Sequence, residues 1–234
     1  DNLRISVNQG EHVVPLGSTW RYLDTGADLL TGWKEPAYDD SAWASGPAEL
    51  GYGDGDEATV VSFGGVANNK FITTYFRHAF MLTDLPSVLG ADIGIKRDDG
   101  AAVYLNGSEV LRDNLPAGAA YDTPAGTMNV VNENLVVQHE IDETLLVDGI
   151  NTLAVEVHQD EVTSSDISLD LFLSLARESD VGVLSNDVDP EGMPLSAEVV
   201  SQPANGNLSF NSDGTFTYTP TVNFEGFDSF DYRA

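Results

Sequence analysis

Carboxylates gathered in glycine-containing turns are the residues in this 234-residue sequence whose type and spacing could do chemistry. Asp54, Asp56 and Glu57 lie in one such run, and Asp98 and Asp99 directly precede Gly100 in another. Carboxylate oxygens at this spacing can converge on one Ca²⁺, a cation that takes only oxygen ligands. The first run lacks the twelve-residue calcium loop, so a solvated acidic loop stays open as the alternative for it.

The charge balance of the whole chain limits its partners. There are 38 acidic against 10 basic residues, which gives a formal net charge of −28. Such a surface repels nucleic acid and anionic membranes, so neither is expected as a partner. Sulfated or uronate-rich polymers are disfavoured too, unless a cation bridges their anionic groups and the acidic side chains of the protein. Solubility in salty surroundings explains part of the acid excess, and Ca²⁺ binding by some of the acids is compatible with it.

Several classes of site are absent from the sequence. There is no cysteine, and hence neither a disulfide framework nor thiolate chemistry. No apolar run approaches the length of a membrane span, and the sequence starts at Asp1, as a processed or excised fragment does. The four histidines are scattered, and no serine-nucleophile, zinc-protease or phosphate-loop motif occurs. Because 38 acids make some carboxylate pair at glycosidase spacing almost unavoidable, such a pair carries little weight. We therefore expect no enzyme.

Period-two alternation and frequent turn signals predict an all-β protein. Residues 71–82, 152–158 and 167–175 alternate as strands do, and Asn106-Gly107 is a strong hairpin signal. Only residues 142–149 indicate a helical turn. Residues up to about Ala176 are therefore predicted to form a β-sandwich of the jelly-roll kind.

Strand parity predicts which loops share an end of that sandwich. If each strand crosses the sandwich once, the loops 51–70, 98–100, 114–127 and 159–166 meet at one end, here called the distal tip. The Asn106-Gly107 turn and residues 142–149 then lie at the opposite end.

The distal tip is the predicted place for a sugar. An aromatic face and a few directed polar groups suit a glycan. Tyr52 or Tyr121 would be the stacking face, and hydrogen bonds would come from Asp54, Asp99, His158 and Asp160. Neutral galactans, xylans or glucans suit so acidic a tip. A rival location is an open sheet face bearing Tyr75 and Tyr104. Trp20, Trp33 and Trp43 are predicted to pack in the core or at its rim, with Trp33 as an alternative platform.

Four segments of the first module resemble the galactose-binding-domain-like superfamily: residues 37–43, 72–77, 97–107 and 145–158. The likeness covers about residues 12–176 and implies a module that is lectin-like in some proteins and merely structural in others. The Asp98-Asp99-Gly100 turn is also similar to the calcium-holding turn of yeast adhesin lectin domains. That likeness implies that Asp98 and Asp99 are Ca²⁺ ligands.

Residues 177–180 read as a linker, and the segment after it is similar to cadherin-like or bacterial Ig-like repeats. The resemblance implies that Asp187, Asp189 and Glu191 are Ca²⁺ ligands, with a solvated acidic turn as the alternative. The usual opening strand is short or missing before Gly182, which leaves open whether the unit is complete. The expected domains are thus 1–176, a galactose-binding-like jelly roll, and 177–234, a smaller Ig/cadherin-like β-sandwich unit.

These resemblances imply a non-catalytic, calcium-stabilised carbohydrate-binding module of a secreted or cell-surface bacterial protein, one that degrades polysaccharides or attaches to surfaces. Its expected partners are a polysaccharide or glycan and other domains of the same polypeptide. A structural or adhesive spacer without a sugar site is the alternative. Glycan binding separates the two.

Overall fold

Alternation of apolar and polar residues sets the strands, and the computed structural model confirms the all-β prediction. It describes residues 2–4, 11–126, 135–177, 182–184, 187, 189, 193–222, 224 and 228–234. Two units are distinguished: a large unit, Gly10–Ala176, and a small unit formed by Asp1–Gln9 with Arg177–Ala234.

The strands in chain order are β1 (Asn2–Arg4), β2 (Glu11–Val14), β3 (Thr19–Leu23), β4 (Ala44–Pro47), β5 (Leu50–Tyr52), β6 (Thr59–Val60), β7 (Thr73–Leu82), β8 (Val88–Asp98), β9 (Gly100–Leu105), β10 (Ser108–Asp113), β11 (Val137–Ile141), β12 (Gly149–His158), β13 (Ile167–Arg177), β14 (Glu198–Ser201), β15 (Gly206–Phe210), β16 (Phe216–Pro220) and β17 (Ser229–Arg233). Short 3-10 helices occupy Gly32–Lys34, Leu85–Ser87 and Glu143–Leu145. The last confirms the predicted helical turn. In the described part of the chain, no helix is long and apolar enough to cross a membrane.

Two sheets pack face to face in the large unit. One has the strand order β10-β9-β12-β7-β3-β4, and the other has β11-β8-β13-β5-β6 with β2 also paired to β13. Alternate residues of both sheets point between them and form one core, in which Trp20, Phe76, Ile93, Val155 and Leu171 are buried. Burial of such side chains contributes roughly 1.5–3 kcal/mol each, so this core is the main source of stability.

Residues 96–110 contain two turns, and these turns have different roles in the fold. Asn106-Gly107 closes a hairpin between β9 and β10, and both residues have positive φ, 50° and 87°. Asp98-Asp99-Gly100 instead carries the chain from β8 in one sheet to β9 in the other. The acidic turn is therefore a crossover between sheets, and it lies at an end of the sandwich.

The outer face of the β9-β12-β7 region is covered. A second apolar cluster lies there, containing Trp33, Trp43, Tyr75, Tyr104 and Leu115. Arg77, which is buried, holds the covering segment: its Nε donates to Asp40 Oδ2 at 2.8 Å, and its other nitrogens donate to the carbonyls of Trp33 and Glu35. The suggested open face with Tyr75 and Tyr104 is thus wrong, and Trp33 is core packing rather than a platform.

The small unit has a three-stranded sheet, β1-β17-β14, and the hairpin β15-β16. Val183, Ala197, Phe230 and Tyr232 form its buried core. The predicted hairpin at residues 211–214 is confirmed, with Phe210 opposite Phe216. One feature differs from the prediction: Asn2–Arg4 pair with β17 and so belong to this unit, whereas the prediction assigned residues 1–176 to the first module. Period-two patterning gives a strand but not its partner.

Candidate functional site

The four loops predicted to meet at the distal tip are hydrogen-bonded to one another. Lys70 N donates to Val162 O at 2.9 Å, which joins the first loop to the last. Ala125 N donates to Gln159 O at 2.8 Å, and Asp160 N donates to Asp99 Oδ2 at 2.8 Å. The convergence expected from strand parity is therefore confirmed.

Asp98 and Asp99 occupy the centre of this tip. Asp98 is 3% exposed, whereas Asp99 is half-buried. Asp99 Oδ2 accepts the backbone N–H of Asp160 and lies 3.4 Å from Ser164 Oγ. The Asp99 carbonyl accepts Asn114 Nδ2 at 3.1 Å. One turn thus fixes both the 114–126 and the 159–166 loops.

Two of the predicted sugar-binding residues are buried, and these assignments are corrected. Tyr52 is 7% exposed and packs its ring against Phe63, with Lys70 Nζ 5.1 Å from the ring centroid. His158 is fully buried: its Nδ1 donates to Thr123 O, and Thr73 Oγ1 lies 3.1 Å from the same nitrogen. Neither side chain is available to a sugar. The 114–126 loop covers His158 through Thr123, whereas Tyr52 belongs to the main core of the large unit.

Tyr121, Asp54 and Asp160 keep contact with solvent. Tyr121 is 37% exposed, and its carbonyl accepts Thr73 Oγ1. The pKa of Asp160 is raised by partial burial and then by the charge of Asp99. The pKa of Asp54 is raised by partial burial and then by Asp166. The tip therefore concentrates negative charge that nearby protein cations do not balance fully.

Asp54 and Asp56 form an acidic group with Glu49, a residue that the sequence did not indicate. One ligand oxygen from each lies within 4.8 Å of the others. Lys96 Nζ hydrogen-bonds to Glu49 Oε2 and lies 3.9 Å from Asp56 Oδ2, so a protein cation already occupies this group. Glu57 instead accepts the backbone N–H groups of Asp54 and Gly55. A lone glutamate before β5 has no sequence signature, which is why it was missed.

The calcium ligands implied for the small unit, Asp187, Asp189 and Glu191, stay a prediction. Asp189 Oδ1 accepts Met193 N at 3.1 Å. Asp187 raises the pKa of Tyr232, an effect that comes after burial of that phenol. Glu191 lies outside the described residues.

The residues at the distal tip fit a calcium ion in their donor chemistry. Asp98 and Asp99 supply carboxylate oxygens here, and the oxygens Asn114 Oδ1 and Gln159 Oε1, on the two loops bonded to this turn, have no hydrogen-bond partner. All these donors are oxygens, and Ca²⁺ takes carboxylate and amide oxygens. Asp98, Asp99, Asn114 and Gln159 are thus the residues that would hold it.

This fold and site define a class of protein: an all-β chain of β-sandwich units with an acidic loop cluster at one end. The family model described as "Bacterial Ig domain" matches residues 113–234. The chain belongs to the bacterial Ig domain family. No curated protein matches it.

The solved structures to which the chain is similar include several glycosidase chains. One is a glycosyl hydrolase family 2 member from Bacteroides cellulosilyticus, with TM-score 0.49 and 11% identity over 93% of this chain and 29% of that one. Another is a Bacteroides uniformis beta-glucuronidase, with TM-score 0.48 and 14% identity over 97% of this chain and 27% of that one. This chain spans less than a third of the length of either. Similarity at this level defines no activity for it.

Proposed function

We propose that the chain is a non-catalytic carbohydrate-binding accessory module of a larger secreted or cell-surface bacterial protein. In this proposal the large unit is a galactose-binding-like jelly roll that carries the sugar site. The small unit is an Ig-like module that connects it to other domains. Calcium bound in the acidic loops stabilises the assembly.

The observation that carries this proposal is the composition of the distal tip. It offers an exposed aromatic ring, Tyr121, on a loop that is hydrogen-bonded to the strand end bearing Asp160. An aromatic face with carboxylates beside it matches the alternating apolar and hydroxyl-bearing surfaces of a sugar ring. The broad sheet face above β7 and β12 is closed by the segment around Trp33, which favours the tip over that face.

The charge of the tip favours neutral glycans. Asp54, Asp99 and Asp160 repel sulfate and uronate groups, and their oxygens accept hydrogen bonds from sugar hydroxyls. Galactans, xylans and glucans are the proposed ligands.

Isothermal titration of the protein with a panel of these polysaccharides tests the proposal. Tyr121→Ala is expected to weaken binding about tenfold, because an aromatic contact contributes about 1 kcal/mol beyond its buried area. Asp160→Asn is expected to weaken it less, since an amide oxygen can still accept one bond. Val147→Ala, at an exposed position at the opposite end, serves as the control and should bind like the parent.

A spacer role is the second candidate, and membership of the bacterial Ig family favours it. No binding by the parent protein to any neutral, acidic or sulfated glycan would support the spacer. Undiminished binding by both tip variants would move the sugar site elsewhere.

A further inference from the structure

We infer that a polar network beneath the 114–126 loop holds this loop in one conformation and thereby positions Tyr121 for a ligand. The inference rests on the proposed function and deepens it, because it names residues that act on the sugar site without touching the sugar. Part of its test uses no glycan, so the inference can fail while sugar binding stands, and the reverse. The network, here called the support network, consists of Thr73, Tyr104, Arg112, Glu156 and His158.

Two buried side chains at the ends of neighbouring strands bind the loop around Tyr121. Thr73 Oγ1 donates to Tyr121 O at 2.5 Å. His158 Nδ1 donates to Thr123 O at 2.7 Å, two residues farther along the loop. Thr73 begins β7, His158 ends β12, and the two residues lie directly opposite each other in the sheet. The sheet therefore fixes both donors, and the donors fix the backbone on both sides of residue 122.

This part of the loop is a tight turn with Tyr121 at its corner. Thr123 N donates to Ala120 O at 2.9 Å, and Ala120 N donates to Thr123 Oγ1 at 2.9 Å. These two bonds close a four-residue turn in which Tyr121 and Asp122 are the central residues. Because the carbonyls of Tyr121 and Thr123 are both bound, the support network fixes the point from which the exposed ring of Tyr121 projects.

A further attachment lies near the start of the loop. Arg112 Nη1 donates to Pro116 O at 3.0 Å. The same guanidinium donates to both carboxylate oxygens of Glu109, and its Nη2 donates to Tyr104 Oη at 3.3 Å. Arg112 belongs to β10, so the loop is attached to three strands of one sheet: β7, β10 and β12.

Tyr104 and Glu156 connect these attachments to one another. Tyr104 Oη donates to Glu156 Oε1 at 2.8 Å, and Glu156 Oε2 lies 3.5 Å from His158 Nε2. Both Tyr104 and Glu156 are buried. Burial, and then the charge of Glu156, raise the pKa of Tyr104, so the phenol keeps the proton that it donates. The support network is thus one continuous set of polar contacts from Arg112 to Thr73.

The polar character of the support network fits a positioning role better than a role in stability alone. Burying polar and ionised side chains costs free energy that an apolar layer would not cost. Apolar contacts are non-directional, so an apolar layer could cover the sheet without setting where the loop lies. Hydrogen bonds require a defined distance and angle, and three carbonyls of this loop meet that requirement.

Amide hydrogen exchange and glycan titration of the full chain test the inference. Tyr104→Phe keeps the ring in its apolar cluster and removes no bond to the loop itself. It is nevertheless expected to quicken exchange of the Thr123 amide and to weaken glycan binding, each about fivefold, because it disconnects Glu156 from Arg112. Tyr38→Phe removes a hydroxyl from the same apolar cluster, at a residue outside the support network. It is the matched control and should change neither quantity.

The attachment through Thr73 supplies a second pair of variants. Thr73→Val loses the bond to Tyr121 O and is expected to weaken glycan binding about tenfold, as Tyr121→Ala does. Thr73→Ser keeps the hydroxyl and should bind within a few-fold of the parent, a rescue that a role in packing alone would not give. When Thr73→Val is combined with Tyr104→Phe, the loss should be smaller than the product of the two single losses, because both substitutions act through one network.

The inference is overturned if Tyr104→Phe and Thr73→Val both leave exchange and binding unchanged, if Thr73→Ser fails to restore what Thr73→Val loses, or if the losses multiply in the double variant. If the parent binds no glycan, the proposed function fails and hydrogen exchange alone decides the inference. If the parent binds a glycan and the variants match it in both measurements, the inference fails and the proposed function stands.

Discussion

Both ends of the large unit bury side-chain amides where strands end, but the two ends differ in how the hydrogen-bonding groups of those amides are satisfied. At the end opposite the tip, Asn151 is fully buried, and its side chain makes hydrogen bonds to Asn106, to Val147 N and O, and to Gly149 O. Asn106 Oδ1 in turn accepts Thr152 N at 2.9 Å. At the distal tip, Asn114 and Gln159 also bury amides, but the oxygen of each has no partner.

Burial of a side-chain amide at a strand end therefore does not show by itself whether the amide stabilises the fold or takes part in binding a ligand. Where the polypeptide meets every donor and acceptor, the amide serves stability alone. Where amide oxygens are left without partners beside carboxylates, as at the distal tip, the proposal is that a bound calcium ion supplies the missing partner. We therefore expect one end to be insensitive to solution conditions and the other to depend on them.

The largest effect is expected from Asn151→Leu. The substitution removes the hydrogen bonds of the buried Asn151 amide to Val147, Gly149 and Asn106, and should cost about 3–5 kcal/mol of unfolding free energy. Thermal unfolding should show a fall of about 10 °C, equal in calcium and in chelator. The control is Asn68→Leu, at an exposed position. A fall that calcium reverses would contradict the contrast between the two ends.

Removal of calcium should give the next largest loss of unfolding free energy. The local change in hydrogen exchange should be limited to the distal tip. A ligand that binds only the folded state stabilises it by about 2.7 kcal/mol at a hundredfold excess over Kd. Differential scanning calorimetry at low salt, with and without chelator, measures this difference. Amide hydrogen exchange should quicken around Gln159 on chelation and stay constant around Asn151. Superimposable melting curves would leave the acidic loops with a solvation role only.

The smallest effects are expected from pH, and they should have opposite signs at the two ends. The raised pKa of Asp54 means that its ionised form disfavours folding above that pKa, a cost that disappears as the carboxyl is protonated. The pKa of Asp142 is lowered by its bonds to the side chain and then the backbone of Thr144, so its contribution is present above its ordinary value of 3.8 and is lost as pH falls through the folded value.

Without calcium at pH 7, Asp54→Asn should therefore raise the Tm and Asp142→Asn should lower it, each by about 1 °C. Both differences should shrink as the pH is lowered, because the carboxyls of Asp54 and Asp142 lose their charge as they are protonated. Shifts of the same sign would show that the tip acids are not held against one another in the folded state.

The sequence predicted the strands and the meeting of the loops, because both follow from local rules. Asn106-Gly107 can adopt positive φ and so closes a hairpin, and once the long strands are known, parity decides which loops share an end. Those rules use only neighbouring residues and strand counting. The predicted sugar and calcium ligands at Asp54, Asp99, Tyr121 and Asp160 stay predictions.

The burial of Tyr52 and His158 was not predictable in this way. Alternation distinguishes the two faces of a strand, but it cannot show that a distant loop will cover the outer face. The segments around Trp33 and Leu115 do so here and bury Arg77, and the loop that carries Thr123 buries His158. Tyr52 is buried for a different reason, because its ring belongs to the main core and packs against Phe63. Gln159 was missed for a related reason: a glutamine in a polar loop has no pattern, and only its position beside the Asp99 turn gives it meaning.

The pairing of β1 with β17 determines when the small unit can be completed during synthesis. Asn2 lies opposite Asp231, so almost the whole described chain separates the two partners. The first strand leaves the ribosome long before its neighbour exists, and the large unit can fold in the interval because all its strands are made earlier. Closing so long a loop slows the final step. The order of assembly is thus sandwich first and small-unit sheet last.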